Sequence, residues 1–250
     1  MEIQRTPKAA LVTGASRRIG RAIALNLGRH GWDVAVHYAS GKSAADEVVA
    51  EITDMGQRAV AVACDLARVE AGAELIAACG QKIGALTCLV NNASTFIDDE
   101  ISNLQADVWD KQLAVNLRAP VFLAQAFARQ LPDGCSGNIV NVIDQRVLQP
   151  LPGLFSYALA KEGLFAATKL LAQALAPNIR VNGVGPGPVL RSVLQTEAAF
   201  EAEVKSTLLG LAVPPEEIAH AVQFILASPS LTGQMIAIDA GQHLSRTYVG

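Results

Sequence analysis

The sequence predicts an α/β protein, a doubly wound parallel sheet of about seven strands with helices on both faces. Three observations carry that expectation. Short apolar runs alternate with longer amphipathic ones along the whole chain of 250 residues. The strand-like runs are apolar throughout, as strands covered on both faces are. Hydrophobic residues make up 51% of the chain, ample for a buried core.

Each element follows in order. Residues 9–13 read as the first strand and 18–29 as the first helix. DVAVHY at 33–38 is the second strand, and 43–55 is a helix with its charges on one face. A third strand spans 59–64, a helix 69–82 and a fourth strand 86–90. One long helix is expected over 107–130, then a strand at 138–143 and a helix over 155–175. The chain ends with a strand at 179–184, a helix at 215–227 and a strand at 235–238. No internal repeat, linker or low-complexity stretch interrupts this order, so residues 1–250 read as a single domain. The weakest order is expected over 186–211, where PGP is followed by a polar helix, as in a lid over a site.

Charge narrows the partners. Twenty basic residues stand against 23 acidic ones, a net charge of −3. That balance, without a block of like charges, argues against nucleic acid. The first residues, MEIQRTPKAALVTGAS, lack the apolar run of a secretory signal, and no segment reaches membrane-spanning length. The four cysteines form no CxxC pair, which suits a reducing compartment, and a cytoplasmic location is expected. His30, His37, His220 and His243 show no ligand spacing, so no metal site is expected.

The first strand runs into Gly14-Ala15-Ser16-Arg17-Arg18-Ile19-Gly20 and then a helix. Gly14 permits a tight turn, missing side chains let N–H groups approach a pyrophosphate, and the helix N-terminus favours negative charge. This is a Rossmann-type arrangement, although the spacing is not GxGxxG. A preference for NAD requires an acid at the far end of the second strand. Asp33 lies at the near end, and the far end reads His37-Tyr38-Ala39-Ser40-Gly41-Lys42-Ser43. Arg18, Lys42, Ser40 and Ser43, with Arg17 as a second candidate, suit a 2′-phosphate, which points to NADPH/NADP+. Farther along, Tyr157 and Lys161 share a helix face at i, i+4. An ammonium beside a phenol is expected to lower its pKa and make Tyr157 a proton donor near neutrality.

TGASRRIG, CDL at 64–66, NNAS at 91–94, Asn116 in VNLRAP, YALAK, VGPGPV and the closing TGQMIAIDAG occur in order. Together they resemble the short-chain dehydrogenase/reductase family, over essentially the whole chain. The resemblance implies that Tyr157 donates the proton, that Lys161 also binds the nicotinamide ribose, and that Asn116 supports a water relay to Lys161. It implies cofactor contacts from Gly14, Ser16, Arg17, Arg18 and Ile19 in the turn, and from His37, Tyr38, Ser40 and Ser43 beside it. Asp65 and Leu66 would meet the adenine, Asn92, Ala93 and Ser94 would line the cofactor path, and Pro186, Gly187 and Val189 would border the nicotinamide. A homotetramer is implied as well, with the 107–130 and 155–175 helices packed across an interface.

Two departures sharpen the resemblance. The family's usual glycine at position 18 is arginine, and its usual catalytic serine, about 13 residues before the tyrosine, is Asp144. The pteridine reductases share both features, along with NNASxF, which here places Phe96, and the HY and QPLPG segments. A pterin is a flat, electron-poor ring that would stack on Phe96. Arg18 and Ser94 would bond its edge, and Asp144 beside Tyr157 would assist protonation of a ring nitrogen. The expected function is therefore NADPH-dependent reduction of a C=N bond in a dihydropterin. Two other readings stand beside it: a carbonyl reductase for a 3-oxoacyl thioester, sugar or alcohol substrate, and a protein that binds NADP(H) without turnover.

Overall fold

The computed structural model describes residues 7–245. Seven strands form one parallel sheet: β1 (Ala9–Val12), β2 (Asp33–Tyr38), β3 (Ala59–Ala63), β4 (Cys88–Asn91), β5 (Gly137–Val142), β6 (Ile179–Pro186) and β7 (Met235–Ile238). Their spatial order is β3-β2-β1-β4-β5-β6-β7. The chain winds outward from β1 in one direction, then returns to β4 and winds outward in the other. Such a reversal leaves a crevice beyond the carboxyl ends of β1 and β4, because the connections on the two sides diverge there. This is the expected Rossmann-type sheet with helices on both faces.

The two-residue period of a strand divides the core. Ala10 and Val12 of β1 face one layer, built on Ile23 and Leu27 of α1 (Arg18–Arg29), Val48 and Ile52 of α2 (Lys42–Asp54), and Ile218, Val222 and Ile225 of α8 (Pro215–Ala227). Ala9 and Leu11 face the other, built on Leu75 and Ile76 of α3 (Ala71–Ile83) and Leu123 and Phe127 of α5 (Ala119–Gln130). Ala172 of α6 (Phe155–Leu175) joins this second layer. Both faces of β1 are closed, so an apolar run with no polar alternation is what the position requires.

The expected 107–130 helix is not continuous. It consists of α4 (Ala106–Leu113), a π-helical turn at Ala114–Arg118, and α5. Pro120 explains the break: without an N–H it cannot donate to the carbonyl four residues back, that of Asn116. The ladder widens instead, and Ala119 N–H reaches back to Ala114 O. Within 186–211 the polar helix is α7 (Glu197–Ser206), which has no buried residue. No helix among the described residues is long and apolar enough to cross a membrane.

Candidate active site

The turn after β1 is fixed by side chains from three strands. Thr13 Oγ1 accepts from Asn92 N and Ala93 N, both at 2.9 Å, and Asn92 Nδ2 donates to Thr13 O at 2.8 Å. Gly14 has a φ of +62°, which favours glycine. A Cβ on Gly20 would lie 2.2 Å from Gly14 O and 2.4 Å from Asn92 Nδ2, so only glycine lets α1 start this close to β1.

His37 closes the turn from the side. Gly14 N donates to His37 Nδ1 at 3.0 Å, so that nitrogen carries no proton. The other, Nε2, therefore carries the hydrogen and donates to Cys64 O at 3.0 Å. Burial lowers the His37 pKa from 6.5, which keeps the ring neutral. With both nitrogens engaged by backbone, His37 supports the turn from behind.

At the other end of the crevice, Tyr157 Oη donates to Asp144 Oδ2 at 2.8 Å. The second Asp144 oxygen accepts from Arg146 N at 2.9 Å and caps a 3₁₀ turn (Gln145–Leu148). The carboxylate therefore both shapes its loop and touches the tyrosine. Lys161 Nζ donates to Val142 O at 2.9 Å and lies 5.6 Å from the centre of the Tyr157 ring. Phe96 meets that ring edge-on, with centroids 4.8 Å apart.

The electrostatics correct one expectation. Lys161 does not set the titration of Tyr157. Burial first, and the Asp144 carboxylate second, push the phenol well above its ordinary value of 10.0. Burial also raises Asp144, whose residue is partly open to the crevice while its carboxyl group is enclosed. Burial lowers Lys161 to about 8. Tyr157 thus retains its proton at neutral pH, as a donor must.

The crevice has a volume of about 910 Å³ and gathers most of the residues expected from sequence. Gly14, Ser16, Arg17, Arg18, Ile19, His37, Tyr38, Ser40, Asp65 and Leu66 line the part nearest the turn and β2. Asn92, Ala93, Ser94, Phe96, Asp144, Tyr157, Lys161, Pro186, Gly187 and Val189 line the remainder. The Arg17 side chain makes no hydrogen bond or ion pair among the described residues and stands exposed beside the turn. Arg18, by contrast, donates to Leu190 O at 2.7 Å and Arg191 O at 2.9 Å.

Three expected contributors lie elsewhere. Ser43 is outside the crevice lining and bonds Glu47 at 3.4 Å; Lys42 pairs with Asp46 at 2.6 Å. Both start α2 and are engaged by acids one turn on, which directs them along the helix surface. Asn116 also lies off the lining: its Oδ1 accepts from Ser94 Oγ at 2.9 Å and Thr95 N at 3.0 Å, and its Nδ2 donates to Thr95 O at 2.9 Å. That side chain braces the NNAS loop and makes no direct bond to Lys161.

Sequence reasoning missed part of the lining. Arg146 faces the crevice, makes no side-chain hydrogen bond among the described residues, and its charge acts on both Asp144 and Tyr157. Glu203 accepts from Gln195 Nε2 at 2.7 Å and Gln242 Nε2 at 3.0 Å, joining α7 to the segment after β7. No motif marks these residues. The available signal for Arg146 was a cation two places after an acid at a strand end.

A model of the short chain dehydrogenase family matches residues 8–202. The chain belongs to that family, and it is an oxidoreductase of a kind built around a nicotinamide cofactor. Among solved structures it is similar to FolM alternative dihydrofolate reductase 1 from Brucella canis, complexed with NADP. The two are 41% identical, with 95% of this chain and 94% of that chain covered and a TM-score of 0.89. It is also similar to the angucycline C-6 ketoreductase LanV with bound NADP, at 33% identity, with 95% and 96% covered and a TM-score of 0.88. A curated relative, the 3-oxoacyl-[acyl-carrier-protein] reductase of Synechocystis sp., is 33% identical over 240 residues, 94% of this chain and 97% of that protein.

Proposed function

We propose that the chain is an NADPH-dependent reductase that transfers hydride to a C=N bond of a dihydropterin-type substrate. The observation that carries this reading is the 2.8 Å hydrogen bond between Tyr157 and Asp144. A serine at that position offers a hydroxyl to a carbonyl oxygen. A buried carboxyl group beside the tyrosine instead suits a basic ring nitrogen that must gain a proton. The FolM structure, similar at 41% identity, supports the same substrate class.

The residues present fit the cofactor. Gly14 and Gly20 let the turn fold tightly onto the start of α1, next to an exposed Arg17 and the acid-free end of β2, an arrangement suited to NADPH. When bound, NADPH supplies the hydride. Tyr157, neutral at physiological pH, gives its proton to the substrate nitrogen as C=N becomes CH–NH. Asp144 accepts the tyrosine's hydrogen bond and so orients the phenol, and the phenolate left by the transfer regains a proton from solvent before the next turnover. Lys161 holds positive charge near the ring throughout. Phe96 presents an aromatic wall for a flat substrate.

The reading extends to a single-domain protein of the cytoplasm that assembles as a homotetramer. Exposed Phe122 on α5 and Leu159 and Leu170 on α6 support an interface along those helices. A second reading, reduction of a 3-oxoacyl thioester or another ketone, is favoured by the Synechocystis relative and the LanV structure. The test mixes protein with NADPH and dihydrobiopterin and follows nicotinamide absorbance. Turnover is expected, falling by roughly 10²- to 10⁴-fold in Tyr157→Phe, the range for loss of a general acid. Oxidation of NADPH by ketones and by no pterin overturns the reading in favour of the second.

A further inference from the structure

Arg18 occupies a backbone position made for glycine. Its φ is +56°, in the left-handed region that non-glycine side chains rarely adopt, at the first residue of α1. Glycine there would relieve the strain at no cost to the turn, and a side chain kept against strain points to a use for it. The guanidinium shows the use. It crosses the mouth of the crevice, and its two terminal nitrogens donate separately to Leu190 O and Arg191 O, 172 and 173 residues along the chain.

We propose that Arg18 is a positioning residue that straps the 186–211 segment over the crevice. The segment needs such a tie. Its helix α7 buries no residue, and Val193 beside the strapped carbonyls is 93% exposed. Val189 and Thr207 anchor its two ends, but no residue from Leu190 to Ser206 is buried, and that stretch is tied by Gln195 and Gln242 on Glu203 and by Arg191 on Gln195 O and Glu197. The planar fork of arginine reaches two adjacent carbonyls at once, whereas a lysine ammonium is a single point charge. The strap joins the phosphate-binding turn directly to the wall that faces the substrate, so the placement of one sets the placement of the other. This role is independent of which substrate is reduced.

The test compares wild type, Arg18→Gly and Arg18→Lys, without cofactor, by thermal melting and by limited trypsin digestion read at the Arg191 bond. Arg18→Gly is expected to melt no lower than wild type, because the backbone strain is gone. Its cleavage after Arg191 is expected to be about tenfold faster, as local opening becomes easier. Arg18→Lys is expected to be cleaved nearly as fast as Arg18→Gly, although its charge is kept. Cleavage at the wild-type rate in both variants overturns the proposal, including the case in which Arg18→Gly binds NADPH more weakly, since Arg18 would then serve phosphate alone. A lower melting temperature for Arg18→Gly overturns the strain argument on which the proposal stands.

Discussion

The two walls of the crevice are built on different principles. The wall under the glycine turn is a lattice of buried polar contacts. Thr13, Asn92 and His37 satisfy backbone groups of the turn and of the segments after β3 and β4, and Gly20 sits where no Cβ fits. The facing wall, 186–211, is anchored at its ends by Val189 and Thr207, but from Leu190 to Ser206, α7 included, it has no buried residue and rests on side-chain contacts at the surface. Buried polar groups left unpaired are costly, so the first wall has one arrangement. Exposed contacts contribute little each, so the second can exchange partners and accommodate different substrates. The crevice thus has one fixed wall and one adaptable one.

Substitutions that attack the fixed wall should have the largest effects. Gly20→Ala places a methyl group 2.2 Å from Gly14 O, against backbone that cannot move aside. A loss of about 3 kcal/mol or more in unfolding free energy is expected, measurable by urea denaturation, together with loss of NADPH binding. A small change would mean that the turn is as adaptable as the opposite wall.

Acid should probe the same wall more gently. The His37 pKa is depressed in the folded protein, so folding favours the neutral ring. Its contribution is fully present above the unfolded value of 6.5 and is lost as pH falls from there toward the lower folded value. The melting temperature should therefore fall on acidification below that value, and the fall should be shallower in His37→Gln, which cannot protonate. Equal slopes in the two proteins would remove His37 from the account of the turn.

The smallest effect is expected at the start of α2. Lys42→Ala breaks only an exposed ion pair with Asp46. NADPH affinity measured by titration should change by less than about twofold. A tenfold loss would return Lys42 to the cofactor site.

The same contrast explains what could be read from the residues. The inner strands were legible because burial on both faces leaves apolar runs bounded by turns, and the half-buried edge strands β3 and β7 were legible because they too are short apolar runs in the alternating order. The glycine turn, Asp144, Tyr157 and Lys161 were legible because their spacing is tied to regular elements. The π-helical turn was not, since its cause is a single missing N–H at Pro120, which also reads as a tolerated proline near a helix start. The partners of Ser43 and Lys42 were not legible because proximity in sequence says nothing of which neighbour a flexible side chain chooses. Arg146, Glu203 and Gln242 reach the crevice from separate loops, and no local pattern joins them. The direction of the Tyr157 shift was misjudged because two residues, Asp144 and Lys161, act on one phenol, and only the geometry shows that the carboxylate holds its hydrogen bond.

The central claim is that Asp144 makes this site a reductase of C=N rather than C=O. The most direct measurement is kcat/KM with NADPH for dihydrobiopterin and for a 3-oxoacyl thioester, in wild type and in Asp144→Ser. The account predicts that wild type favours the pterin, and that the serine variant loses about 10²-fold on it while holding or gaining activity on the thioester. A serine variant that keeps full pterin turnover, or a wild type that favours the thioester, would contradict it.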